Sequence, residues 1–354
     1  MADWTKTMQQ TFEYYIVDPG TWKDVKRVDT IISSSVSRDS GAETLGSASI
    51  TLTDSIDECY MRIYLITIQN GIREKHPLGT YLVQTPSYTF DGKIRNITLD
   101  AYTPLLELKE KHPPVGYSML KNENIMERAY DILAEQLRAP IVRTTNDDKL
   151  QLDFVANLDD TWMTFLTDLI ANAKLRFELD ELGRVLFAPH QDLVSMQPVW
   201  TFDTGNSSIL MPSFTIDHDL YGIPNVVEVI YSNGAETVFT TAINDDPNSP
   251  VSTVNRGRRI THRITSPEVV GNPTKAELDE YAKRVLRELS SIEYTISYEH
   301  GYCPVRVGDC VRLNYASAGL NNVKAKVIKQ SINCVPGCPV TETAVFTDNL
   351  WEGI

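Results

Sequence analysis

Cys303, Cys310, Cys334 and Cys338 are the first residues whose type and number could do chemistry. Four thiolates can close a tetrahedral zinc site or hold an iron–sulfur cluster. Ribbons and knuckles need two close pairs, however, and only Cys334-Val-Pro-Gly-Cys338 is close. The spacing therefore predicts ordinary thiols, with a disulfide in an assembled particle as the other reading, and neither metal nor cofactor is expected. Asp217-His218-Asp219, and His190 with Asp192, could supply ligands or an acid–base pair. In a strand Asp217 and Asp219 share one face while His218 points the other way, so the triplet cannot converge on one ion without a bend. A surface turn ahead of Tyr221-Gly222-Ile223-Pro224 is the simpler expectation. The sequence has no Gly-x-Ser-x-Gly elbow, His-Glu-x-x-His helix, phosphate loop or dinucleotide glycine cluster. An enzyme is not expected.

Arg256, Arg258 and Arg259, with His262 and Arg263 just beyond, make a positive patch in an acidic chain. They are candidates for docking an acidic partner or a neighbouring subunit; the alternative is a solvated strand edge whose charge blocks unwanted pairing. Trp351, in the apolar ending AVFTDNLWEGI, is the fourth candidate interface residue, because a large exposed aromatic usually has something to cover it.

The 354 residues suffice for roughly two or three domains with their own cores. With 33 Lys+Arg against 47 Asp+Glu the net charge is −14, which argues against a grip on nucleic-acid phosphates. That sign would fit an acidic channel through which DNA slides, but on composition alone the stronger reading is an acidic soluble chain with no such role. No window approaches the roughly 18–20 apolar residues of a membrane span. The opening MADWTKTMQQTFEYY lacks the basic and apolar parts of a secretory signal, so folding in the cytoplasm is expected.

The elements that must position these residues fall into three parts. Residues 1–112 read as all-β, with period-two runs at Phe12–Val17, Ala48–Leu52, Arg62–Gln69, Tyr81–Thr85 and Ile97–Tyr102. Asp18-Pro19-Gly20, Asn70-Gly71 and Asp91-Gly92 supply the turns. Residues 113–196 turn helical: Ile125, Met126, Ala129, Ile132, Leu133 and Leu137 form one stripe behind an Asn124/Glu127 cap. A second helix from about Asp159 buries Trp162, Phe165, Leu166, Leu169, Ile170 and Ala173, and LRFELDELGRVLFAPH then forms a hairpin turning at Glu181–Gly183. Residues 197–354 return to β patterning, with a hairpin around Ser232-Asn233-Gly234 and a polar loop at 244–250 expected to be mobile. An amphipathic helix at 274–289 follows, capped by Thr274 and Glu277. Ile292, Tyr294, Ile296 and Tyr298 then share one strand face, and Gly308-Asp309 turns the chain into a strand at Cys310–Tyr315.

This last order of helix, long strand, "h-x-V-G-D-x-V-x-L" and hairpin resembles the final barrel of bacteriophage tail baseplate hub proteins. PLGTYLVQTPSYTFDGKIRNITLDAYTPLLEL resembles their first-barrel segment, and GSASITLTDS the short strand before it. The resemblance implies a β-rich α+β multidomain fold, with two tail-tube-like β-barrels (1–112 and 197–354) and an inserted α+β module. It further implies a homotrimer whose six barrels form a pseudo-sixfold ring between a sixfold tail tube or distal tail protein and a threefold central spike. DNA would be transient cargo in the channel, and the protein a component of the virion. The rivals are a glycan-binding or glycan-hydrolysing β-protein, which needs an aromatic platform or two flanking carboxylates, and a non-hub tail adaptor.

Overall fold

The computed structural model describes residues 2–349 except 91, 93–94, 190, 192, 194, 219–220, 233–236, 266 and 268–272. It is β-rich, with 15% helix and 46% strand, and belongs to the α+β class. Two compact units are present: residues 1–214 with 297–344, and residues 215–296 with 345–354.

The first unit opens with β1 (Gln9–Val17), β2 (Asp24–Val28), β3 (Ile31–Asp39), β4 (Gly46–Leu52), β5 (Cys59–Gln69), β6 (Ile72–Phe90) and β7 (Arg95–Tyr102). Asn70 and Gly71 both take positive φ, 52° and 80°, as a tight hairpin turn requires, and β5 and β6 pair from Gln69↔Ile72 outward. Asp91 of the next expected turn lies outside the described residues, although Phe90 and Arg95 are paired across it. The sequence reading missed β2 and β3. In β3, Ser34 and Val36 point inward and the outward positions are serines, so no apolar alternation marks the strand.

Next come α1 (Leu106–Lys109), β8 (Ser118–Met119), α2 (Ile125–Gln136), β9 (Phe154–Val155), α3 (Trp162–Ala171), β10 (Leu175–Leu179), β11 (Val185–Pro189) and β12 (Trp200–Phe202). Asn124 caps α2 by accepting from the Glu127 N–H at 2.9 Å. Thr161 caps α3 in a reciprocal box with Thr164, slightly later than Asp159-Asp160 suggested. Every residue of the two expected stripes is buried, in a core closed by Phe177 and Phe187 of the β10–β11 hairpin. Each large side chain sealed there contributes about 1.5–3 kcal/mol.

The chain then crosses between units within β13 (Leu210–His218). In the second unit, β14 (Val226–Ser232) pairs with β15 (Thr237–Ile243) and, after the short α4 (Thr253–Arg256), in parallel with β16 (Thr261–Ile264). The capped helix is α5 (Lys275–Leu289); Leu278, Ala282 and Leu286 are fully buried against Val227, Val229 and Ala242. The loop at 244–250 is pinned rather than free. Asn244 donates to Ser249 Oγ at 2.9 Å, and Asn255 donates to the Pro247 and Ser249 carbonyls, both at 2.8 Å. Its polar side chains satisfy backbone groups instead of water, which holds Asn244, Ser249 and Ser252 in the interior.

The chain returns through β17 (Ser291–Gly301), β18 (Cys310–Tyr315), β19 (Leu320–Asn333) and β20 (Pro339–Asn349). β19 pairs antiparallel with β3, so strands from the two ends of the sequence share one sheet, running β19-β3-β4-β7-β6-β5-β1-β2. Among the described residues these pairings form an open path rather than a closed ring, and the two expected barrels are a proposal.

Candidate functional site

The most concentrated polar chemistry lies inside the first unit, where β17, β19 and β20 bring Tyr298, His300, Gln330 and Glu342 together. His300 and Glu342 are fully buried. Glu342 accepts from the Tyr298 hydroxyl and, at 2.7 Å, from the Gln330 amide, which also donates to the Val305 carbonyl at 2.9 Å. His300 Nδ1 lies 2.7 Å from the Gly301 carbonyl oxygen, which can only accept, so Nδ1 carries a hydrogen. His300 Nε2 lies 3.4 Å from Glu342 Oε2. Phe202 packs on the His300 ring at 4.6 Å and keeps water away.

Cys303 Sγ is 3.9 Å from His300 Nδ1, which completes a Cys/His/Glu constellation. Its environment opposes nucleophilic use. Burial, reinforced by Glu342, pushes the thiol well above its ordinary range, so it stays neutral and closed to substrate. Every polar member is spent on an internal partner, and the arrangement holds the strands in register. A signal for it was present in the sequence: His300 is in phase with Ile292, Tyr294, Ile296 and Tyr298, and Glu342 with Val340 and Ala344. The remaining candidate thiols are also buried and none is disulfide-bonded; burial raises Cys334 to about 11. Among the described residues no group of three His, Cys, Asp or Glu is placed to hold a metal ion. His190, Asp192 and Asp219 lie outside the described residues; Asp217 is in β13.

The network continues outward. Arg38 Nη1 donates to Gln330 Oε1 at 3.2 Å and lies 3.8 Å from Glu181, which also pairs with Arg306. Glu181 sits at the tip of the β10–β11 hairpin. Beside it the Leu182 carbonyl accepts from Trp22 Nε1 at 2.7 Å, Thr80 Oγ1 at 2.9 Å and Arg62 Nη2 at 3.2 Å. Gly183 completes the turn at φ +74°, and a Cβ there would stand 2.7 Å from Thr80 Cβ. Buried Arg62 is held by Asp24 at 2.8 Å. The tip thereby fastens the α+β module onto the N-terminal strands. A cleft of about 350 Å³ opens beside it, and its charges are matched internally, Arg38 and Arg306 with Glu181, Arg176 with Glu178 at 2.7 Å.

The basic cluster belongs to the second unit. Arg256 ends α4 and donates to the Ile223 carbonyl at 3.0 Å; burial, then the Arg258 charge, lowers its pKa. Arg258 and Arg259 are exposed, and Arg263 pairs with Glu228 at 2.7 Å. Buried Asn225 fixes this segment, donating to the Arg258 carbonyl at 3.0 Å and accepting from the Ile260 N–H at 2.7 Å. Trp351 lies outside the described residues.

No family model matches the chain, and no curated protein matches it in sequence. Solved structures do match. A tail protein from Neisseria meningitidis superposes with a TM-score of 0.61 at 14% identity, covering 97% of this chain and 98% of that one. The 43 kDa tail protein of a Shewanella oneidensis prophage gives 0.63 at 11% identity, covering 96% and 100%. A Francisella PdpA–VgrG complex gives 0.57 at 8% identity, covering 96% of this chain and 53% of that one. The chain thus has the fold of phage and prophage tail proteins, shared with VgrG-like tail components. No described helix is long and apolar enough to cross a membrane.

Proposed function

We propose that this chain is the structural baseplate hub of a phage tail and a virion component assembled in the host cytoplasm. The observation that carries the reading is the likeness to two tail proteins from end to end, 97% and 96% of this chain against 98% and 100% of theirs. In this reading residues 1–112 and 197–354 form two tube-like barrels flanking the 113–196 module. Three subunits then present six barrels, which matches a sixfold tail tube to a threefold spike and surrounds part of the DNA path. The role is mechanical and involves no turnover. Consistent with that, the buried Cys303/His300/Glu342 group is committed to internal hydrogen bonds.

Arg258 and Arg259, exposed and placed by Asn225, are proposed to dock a neighbouring subunit or an acidic tail partner, with Arg256 bracing the loop and Trp351 contributing an apolar contact. The Francisella VgrG found with PdpA supports a spike or tail component as partner. Native mass measurement tests the assembly. A trimer that Arg258→Glu with Arg259→Glu dissociates or strips of its partner supports the proposal; a hexamer indicates a tube adaptor, and a monomer that cleaves glycan refutes the hub.

A further inference from the structure

The sheet that joins the two ends of the first unit carries an unusual outward face. Across it, Asn333 of β19, Ser35 of β3, Ser49 of β4 and Asp100 of β7 stand side by side in register. The flanking rows add Ser37 opposite Ser47 and Thr51 opposite Thr98. The partners of these residues along each strand, Val36, Ala48, Ile50 and Leu99, point into the core, so the hydroxyl face is the one turned outward. Lys329 at its margin is neutralised by Asp39 at 3.3 Å, and a depression of about 150 Å³ runs between the serines, Asp100 and Tyr102. The outward side of β1, β2 and β6 is different: there Glu13, Arg27 and Arg73 form ion pairs.

Strands favour β-branched and aromatic side chains, and serine is neither, so strand propensity does not select this composition. Protein-binding surfaces concentrate energy in buried Trp, Tyr, Arg and Met anchors, and apart from Tyr102 this face has none. A polyanion moving past needs the reverse of a docking site: small side chains, weak hydrogen-bonding groups that exchange freely with water, and no Lys or Arg to hold phosphates. We infer that the outward face of β19, β3, β4 and β7 lines the channel and is the surface past which duplex DNA moves. The inference rests on the hub reading and adds to it which sheet face meets the cargo.

The test uses the full-length assembled protein carrying Ser49→Cys, with Lys26→Cys on exposed β2 as the reference. Expected is labelling of Ser49→Cys by N-ethylmaleimide but loss of labelling by a polymer-coupled maleimide too wide for the channel. Ring protein with Ser35→Arg and Ser49→Arg should capture duplex DNA with an affinity that falls steeply as salt rises, and wild-type ring should not. Polymer labelling of Ser49→Cys as complete as that of Lys26→Cys overturns the wall assignment and leaves the ring intact. Failure of both reagents at Ser49→Cys means a protein contact covers the face and also overturns it, as does equal DNA capture by wild type. Absence of any ring removes the hub reading, and the wall with it.

Discussion

Replacing Glu342 with alanine should be among the most damaging single changes in the first unit. The carboxylate is fully buried, accepts from the Tyr298 hydroxyl and the Gln330 amide, and lies 3.4 Å from His300 Nε2. Without it, Gln330 keeps the Val305 carbonyl for one amide hydrogen but orphans the other, and the Tyr298 hydroxyl loses its acceptor. Each orphaned buried group costs roughly 1–3 kcal/mol, and the His300 contact adds a comparable amount. The expected loss is therefore about 3–9 kcal/mol, a large share of the roughly 5–15 kcal/mol that holds a typical domain. Trp4, Trp22, Trp162 and Trp200 all lie in the first unit, so intrinsic fluorescence during urea unfolding reads mainly that unit. Glu342→Gln preserves the volume and one acceptor and should lose about half as much. A Glu342→Ala unfolding free energy within about 1 kcal/mol of wild type would refute this pairing.

Two further outcomes are expected. Leu286→Asp places an unpaired charge at the fully buried centre of the α5 stripe and should cost several kcal/mol, about as much as or more than the 2–5 kcal/mol of Leu286→Ala; soluble, assembled protein at wild-type yield would show that α5 is not packed on β14 and β15. His76, half enclosed beside Trp4 at 4.9 Å and bonded to Thr67 at 3.0 Å, has its pKa lowered from 6.5, chiefly by burial. Below 6.5 the unfolded chain takes up a proton that the folded chain resists, so its contribution is intact above that value and lost as pH falls. Chemical denaturation at about pH 7 and about pH 5 should show a smaller drop for His76→Gln than for wild type, and equal drops would remove His76 from the explanation.

Much of the local structure was legible in the residues. Asn70-Gly71, the Asn124 and Thr274 caps, the two helix stripes of the inserted module, and the Gly308-Asp309 turn into Cys310–Tyr315 all depend on interactions within a few positions of one another. The serine-rich β3 was not legible, because its own segment has no apolar alternation and one of its two neighbours, β19, lies nearly three hundred residues away. The same holds for the pinned loop at 244–250, whose polar composition suits water and buried asparagine equally well. Sequence periodicity determined which face is apolar in the strands that alternate, such as β4. Only the tertiary structure decided which strands meet, and with that the pairing of His300 with Glu342, the seat of the Glu181 hairpin tip, and the hydroxyl face spread over β19, β3, β4 and β7. These features need contacts that close long loops, whose stability comes from shared burial rather than from local preference.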